Sequence, residues 1–202
     1  ATSGKQLEVV FLYTYNSQVI VATEGWGLWQ LTGSHQLKKI NLLLPPSLKI
    51  DPTEIETINS ITEVNGKLFL ATHGGGVLKV NPGNFTIEKV FRFDDANDNI
   101  NFIEEVKVID DKLFAITRGG GIVLDLKTEK YVRFTKEETN KHSINDNYLT
   151  TIYTDEQKNI WLGTFSGGVN VSFSQSQKFP NLPKEISEQF QRTFSVYDDG
   201  TD

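Results

Sequence analysis

One slot in a repeated motif carries four different chemistries: Glu24, His73, Arg118 and Phe165 each follow a threonine that ends an apolar run. With Trp26 close to Glu24, the set offers a carboxylate, an imidazole, a guanidinium and two aromatic platforms. Rings to stack on and charged groups to meet hydroxyls suit an asymmetric ligand such as an oligosaccharide. The competing reading is that turn residues face solvent and vary freely. Other chemistry is thin. His35, His73 and His142 stand far apart, with no HxxxH or HExxH spacing for zinc, and no metal site is expected. There is no GxSxG elbow and no Walker loop, so no cofactor is implied. The Gly74-Gly75-Gly76 and Gly119-Gly120-Gly121 runs lead into strands, and the helix N-terminus that would hold a phosphate is missing. The acidic pairs Asp94-Asp95, Glu104-Glu105 and Asp110-Asp111 serve a glycosidase only if two carboxyls converge at about 5–10 Å. Asp110-Asp111 reads as a hairpin turn. Asp94, Asp95, Asn97 and Asp98 offer oxygen ligands for calcium, without the terminal Glu of a full loop.

The elements that position the slot come from an internal repeat. Val19 to Leu28, Leu68 to Val77, Leu113 to Ile122 and Ile160 to Val169 share a pattern of apolar run, Thr, variable residue and glycine-rich turn. The markers Thr23, Thr72, Thr117 and Thr164 stand 49, 45 and 47 residues apart, the period of a propeller blade. Each unit resolves into short alternating strands. The first gives Val9 to Tyr15, Val19 to Thr23, Leu28 to Leu31 and Leu37 to Leu42. The second gives Ile58 to Val64, Leu68 to Thr72, Val77 to Val80 and Ile87 to Phe93, with Asn65-Gly66 as a two-residue hairpin signal. Ile103 to Ile109, Leu113 to Thr117, Ile122 to Leu126 and Tyr131 to Phe134 form the third. Leu149 to Thr154, Ile160 to Thr164 and Val169 to Phe173, with a weak last strand near Phe179, form the fourth. A helical turn is conceivable only near Lys184 to Arg192.

The expected fold is therefore all-β: a β-propeller with four four-stranded antiparallel blades at about 7–44, 55–94, 101–136 and 146–182. Phe194-Ser195-Val196-Tyr197-Asp198-Asp199-Gly200 reads as the opening of a further blade at about 193–202. The 202 residues then form part of a larger propeller. An open set of blades exposes apolar faces, so self-association as a homodimer is expected. The marker threonines and Trp161, which shares its slot with Ile20, Phe69 and Phe114, read as architectural. Trp29 reads as an inter-blade contact.

Composition narrows the partners. Twenty basic against twenty-six acidic residues give a net charge of −6 with no basic stripe, which argues against nucleic acid. No apolar run approaches the roughly 20 residues of a membrane helix, so no membrane contact by this segment is expected. With no cysteine, disulfide scaffolds and thiol chemistry are excluded. The chain also contains no methionine.

The fourth repeat, Ser143-Ile144-Asn145-Asp146-Asn147 through Ile160-Trp161-Leu162-Gly163-Thr164 to Gly167-Gly168-Val169-Asn170, resembles the two-component regulator propeller repeat. Lys158 stands where that family usually has Gly. The likeness covers about thirty residues here and only the Thr-x-Gly-Gly-Gly core in the second and third repeats. In the first, Trp26 replaces the middle Gly. The resemblance implies one or two seven-bladed propellers in the periplasmic sensor of a hybrid two-component protein that also carries a membrane helix and a histidine kinase. It further implies a carbohydrate-responsive, non-enzymatic sensing module. A propeller lyase or glycosidase, and a purely structural dimerisation propeller, are the rival readings.

Overall fold

The computed structural model describes residues 6–33, 36–93, 98–140 and 142–173. The chain divides into two compact units, one of residues 1–94 with 101–103 and one of residues 95–100 with 104–202. In the first unit, β1 (Val9–Tyr15), β2 (Gln18–Thr23), β3 (Gly27–Leu31) and β4 (Leu37–Ile40) form one antiparallel sheet in chain order. A second sheet follows the same plan with β5 (Ile58–Val64), β6 (Lys67–Thr72), β7 (Val77–Asn81) and β8 (Thr86–Phe91). In the second unit, β9 (Ile103–Ile109, with Ile103 counted in the first unit), β10 (Lys112–Thr117), β11 (Gly120–Asp125) and β12 (Tyr131–Phe134) make the third sheet. The fourth holds β13 (Leu149–Thr154), β14 (Ile160–Thr164) and β15 (Val169–Ser172). These sheets are blades of an all-β propeller.

Strand identity follows from residue chemistry. Runs such as Leu68-Phe69-Leu70-Ala71-Thr72 are apolar on both faces because the second strand is the most buried in each of the first three blades; all five residues are 3% exposed or less. Burying a Leu or Ile side chain stabilises by about 1.5–3 kcal/mol. In the first unit Ile20, Leu28, Ile58, Leu70 and Ile87 share one cluster, with Phe11, Tyr13 and Tyr15 packed against it. In the second, Phe114, Ile116, Ile144, Leu149, Ile152 and Leu162 do the same. In the first three blades the hairpin between first and second strands needs two left-handed residues. Asn65 and Gly66 supply them at φ 50° and 71°, and Asn16-Ser17 and Asp110-Asp111 take the same shape.

Several expected boundaries move. β4 ends at Ile40 instead of Leu42, and β11 begins at Gly120, two residues before Ile122. Trp161 is half-buried, unlike Ile20, Phe69 and Phe114, and its Nε1 donates to Asp155 Oδ2 at 2.8 Å, fastening the β13–β14 turn. Trp29 is buried, with its Nε1 donating to Trp26 O at 3.2 Å. The weak strand near Phe179, the helical turn at Lys184 to Arg192 and the further blade at 193–202 lie outside the described residues. So does the acidic loop at Asp94, Asp95 and Asn97, and with it the side chain of Asp98.

Candidate ligand-binding site

The marker threonines build the turn that presents the slot. Thr23, Thr72, Thr117 and Thr164 are fully buried, and each hydroxyl donates across the turn to a glycine carbonyl: Gly27 (2.7 Å), Gly76 (2.7 Å), Gly120 (2.6 Å) and Gly168 (2.9 Å). They are architectural, because a buried hydroxyl with its proton committed and 0% exposure meets no ligand. Each acceptor glycine has positive φ, at 70°, 79°, 115° and 80°. At Gly76 a Cβ would lie 2.2 Å from Phe91 O, and at Gly120 2.5 Å from Phe134 O. Only glycine fits there.

The same glycines reach forward along the chain. Gly27 N donates to Glu56 O (2.6 Å), Gly76 N to Asn101 O (3.2 Å) and Gly120 N to Asn147 O (2.7 Å). Each acceptor stands two residues before a first strand. The next residue in each case, Thr57, Phe102 or Tyr148, is thereby held at the slot turn of the preceding repeat. Thr57 Oγ1 accepts from Gly25 N at 2.8 Å, beside Glu24. Phe102 meets His73 edge-on, with ring centroids 4.8 Å apart. The Arg118 guanidinium lies over Tyr148, 5.3 Å from its centroid. The candidate site is thus built from pairs, a slot residue and a residue just ahead of a first strand. The second half of each pair was missed in the sequence, although Glu8, Thr57, Phe102 and Tyr148 also form a variable position within the repeat.

In the first unit, Thr57 ties two slots together. Its hydroxyl takes Gly25 N, and its carbonyl takes His73 N at 3.1 Å. Trp26 is 36% exposed and borders a cleft of about 170 Å³ with Lys39, Pro52, Ile55 and Glu56. Glu24 is exposed, and His73 is half-buried.

In the second unit, Arg118 and Phe165 meet on Tyr148. Phe165 stacks on the Tyr148 ring at 4.8 Å and 11°, and Phe165 N donates to Tyr148 O at 2.8 Å. Arg118 Nε donates to Glu104 Oε1, and the Tyr148 hydroxyl lies 3.4 Å from that same oxygen. Burial, and then the Glu104 carboxylate, push the Tyr148 phenol above its ordinary range, with Arg118 acting the other way. Tyr148 therefore stays a neutral hydroxyl at physiological pH. Asp146 fixes the cluster from below, accepting Tyr148 N at 3.0 Å, Ser166 N at 3.0 Å and Ser166 Oγ at 2.7 Å. Burial works to raise the Asp146 carboxyl, but those hydrogen bonds outweigh it and hold it below the usual range.

Among the described residues, the acidic side chains of these pairs hold other partners. Glu104 is engaged by Arg118, whereas Glu105 accepts Thr151 Oγ1 at 2.7 Å and Ile152 N at 3.0 Å. Asp110 and Asp111 occupy the β9–β10 hairpin turn. Among the described residues no group of three or more His, Cys, Asp or Glu could hold a metal ion, and no helix is long and apolar enough to cross a membrane.

Residues 143–166 match the family model described as two component regulator propeller. The fourth blade carries a two-component regulator propeller repeat. Within that match lie Asp146 and Tyr148, together with the Trp161, Thr164 and Phe165 positions. Similar solved structures include the extracellular domain assigned to the hybrid two component system BT3049 of B. thetaiotaomicron, at TM-score 0.65 and 20% identity over 95% of this chain and 24% of that one. Another is the extracellular domain assigned to the one component system BT4673 of the same organism, at TM-score 0.64 and 20% identity over 81% of this chain and 21% of that one. PorZ of Porphyromonas gingivalis, a surface component of the type-IX secretion system, is similar at TM-score 0.54 and 17% identity over 85% of this chain and 22% of that one. These likenesses establish the propeller fold, and the chain spans between a fifth and a quarter of those proteins. Comparison with curated proteins finds no match.

Proposed function

We propose that the chain is a ligand-sensing propeller module in the periplasmic part of a hybrid two-component signalling protein, responsive to carbohydrate and not itself catalytic. The observation that carries this reading is the stack of Arg118, Tyr148 and Phe165 with Glu104 beside it. A neutral phenol stacked on a second ring, with a guanidinium and a carboxylate beside it, brings planar surface and hydroxyl-directed polar groups together, the chemistry that sugar rings bind. The repeat in the fourth blade and the fold shared with extracellular sensor domains support the signalling context. Signal would arise because ligand favours one arrangement of the parent protein over another by its differential affinity. Calorimetry with a panel of neutral and acidic oligosaccharides tests it: one of them binds, and Tyr148→Ala or Arg118→Ala weakens that binding about tenfold or more. Turnover of an oligosaccharide, lost in either variant, would replace the sensor with an enzyme.

A homodimer is a second element of the proposal, favoured by β1. This edge strand exposes Val9 (50%), Val10 (40%) and Leu12 (61%), an apolar row of the kind that pairs with another chain. Light scattering at tens of micromolar should show association; a clean monomer would count against it.

A further inference from the structure

The hairpin end of the first unit holds a cavity that the slot residues do not touch. Its volume is about 380 Å³, within the range of sites for small ligands. Register explains how its polar wall forms. Tyr15 pairs with Gln18, and Ile20 pairs with Gln30, so with period-2 alternation Tyr15, Gln18, Ile20 and Gln30 all project from one face of the first blade. Gln30 Nε2 donates to Gln18 Oε1 at 2.8 Å. That bond aligns the two amides and leaves the Gln18 N–H donors and the Gln30 carbonyl acceptor side by side.

The opposite wall comes from the β7–β8 turn, where Pro82, Gly83 and Phe85 line the cavity. The turn is fixed in place: Phe85 N donates to Asn81 O (2.7 Å), Leu43 N to Phe85 O (2.9 Å) and Ile87 N to Leu43 O (2.9 Å). Phe85 has φ 55°, a left-handed conformation costly for an aromatic residue. The corresponding position in the third blade is Glu129, also left-handed, whose N donates to Asp125 O as Phe85 N does to Asn81 O. The turn thus requires positive φ but not a ring. Phe85 puts one there, half-buried against the core and facing the cavity.

No lining residue is charged. We propose that this cavity is a second binding site, for a neutral sugar of monosaccharide size, whose ring lies between Tyr15 and Phe85 and whose hydroxyls meet the Gln18 and Gln30 amides. Two adjacent amides, one donating and one accepting, match a pair of neighbouring hydroxyls. An acid such as a uronate finds no cation among the lining residues, and burying its charge unpaired is unfavourable. The site is independent of the Arg118, Tyr148 and Phe165 cluster.

Amide and aromatic NMR spectra of the 202-residue chain, titrated with methyl glucoside, methyl N-acetylglucosaminide and glucuronate, test the assignment. Expected are saturable shifts of the Gln18 and Gln30 side-chain amides with a neutral sugar, at an affinity near 1 mM for so small a ligand, and at least tenfold weaker shifts with glucuronate. The Tyr15 and Phe85 ring signals shift with the same saturation, and the double variant Gln18→Ala with Gln30→Ala abolishes those ring shifts. Phe85→Gly relieves the left-handed strain but gives up the packing of the ring against the core; with the fold retained by circular dichroism, it weakens the sugar at least fivefold. Arg118→Ala leaves these shifts unchanged, which separates this site from the slot cluster. Absence of saturable shifts, equal response to glucuronate, or binding undiminished in Phe85→Gly would overturn the proposal.

Discussion

The turns after Thr72 and Thr117 are spelled alike, Thr-x-Gly-Gly-Gly, yet they fold differently. After Thr72, the hydroxyl reaches the carbonyl of the fourth residue on, Gly76; after Thr117 it reaches the third, Gly120. The pairing agrees, since Thr117 faces Gly120 directly, whereas Ala71 faces Val77. One glycine has therefore passed out of the turn and into β11. Gly121 pairs with Phe134 as Val77 pairs with Phe91, and the space a Cβ would need is filled by the Phe134 ring, 1.9 Å from Cζ. The third blade replaces an aliphatic side chain on the strand with a neighbour's aromatic ring, and the turn shortens to accommodate it. Identical letters thus mark different structural positions when a packing partner several residues away changes.

Substitutions sharpen or break this comparison. The largest effect is expected for Gly76→Ala and Gly120→Ala, where both φ and a backbone carbonyl forbid a Cβ; each should destabilise by about 3 kcal/mol, read as a fall in melting temperature. If the two turns were equivalent letter by letter, Gly121→Ala would match Gly76→Ala. Instead it should cost only about 1–2 kcal/mol, because a side chain, the Phe134 ring, can shift where a backbone carbonyl cannot.

Thr117→Val should cost about 2 kcal/mol in chemical denaturation, and Thr72→Val nearer 1 kcal/mol. Both remove a hydroxyl bond to a buried glycine carbonyl, but Gly76 O keeps the bond from Thr72 N at 3.1 Å, and Thr117 Oγ1 also accepts Gly119 N at 2.9 Å. Equal losses would remove the distinction between the turns.

The smallest effect is electrostatic. Burial raises the Glu105 carboxyl above its ordinary range, against the bonds from Thr151 and Ile152. A carboxyl raised on folding binds its proton more tightly in the native state, so stability falls as pH rises from the unfolded value through the folded one. Melting curves across that window should show a weaker pH dependence for Glu105→Gln. Asp146, held low, acts with opposite sign: its contribution is present above the unfolded value and is lost on acidification towards the folded one.

The fold was legible because each blade repeats the same two signals, period-2 apolar alternation and positive-φ turn residues, and β1, β5, β9, β12, β13 and β14 match their expected ranges. The variable slot stood out in the sequence for the same reason, since variation inside a repeat is conspicuous. Tyr148 and Phe102 did not stand out because each precedes a strand and resembles its apolar neighbours; only the forward bond of the turn glycine reveals that they are aimed at Arg118 and His73. Trp161 looked like core because it shares a slot with Ile20, Phe69 and Phe114, while its indole N–H found Asp155 at the turn. Gln18 and Gln30 escaped notice because cross-strand register, and not sequence distance, makes them neighbours.

The forward bond also gives the chain a direction. At Gly27, Gly76 and Gly120 the N–H reaches the carbonyl that introduces the following first strand. Every such fastening points from an earlier repeat to its successor. Damage to one turn should therefore reach beyond its own blade, much as an unhooked link frees the next one in a chain, and hydrogen exchange around a Gly27→Ala lesion should spread to Thr57 and His73 as well as to Val9.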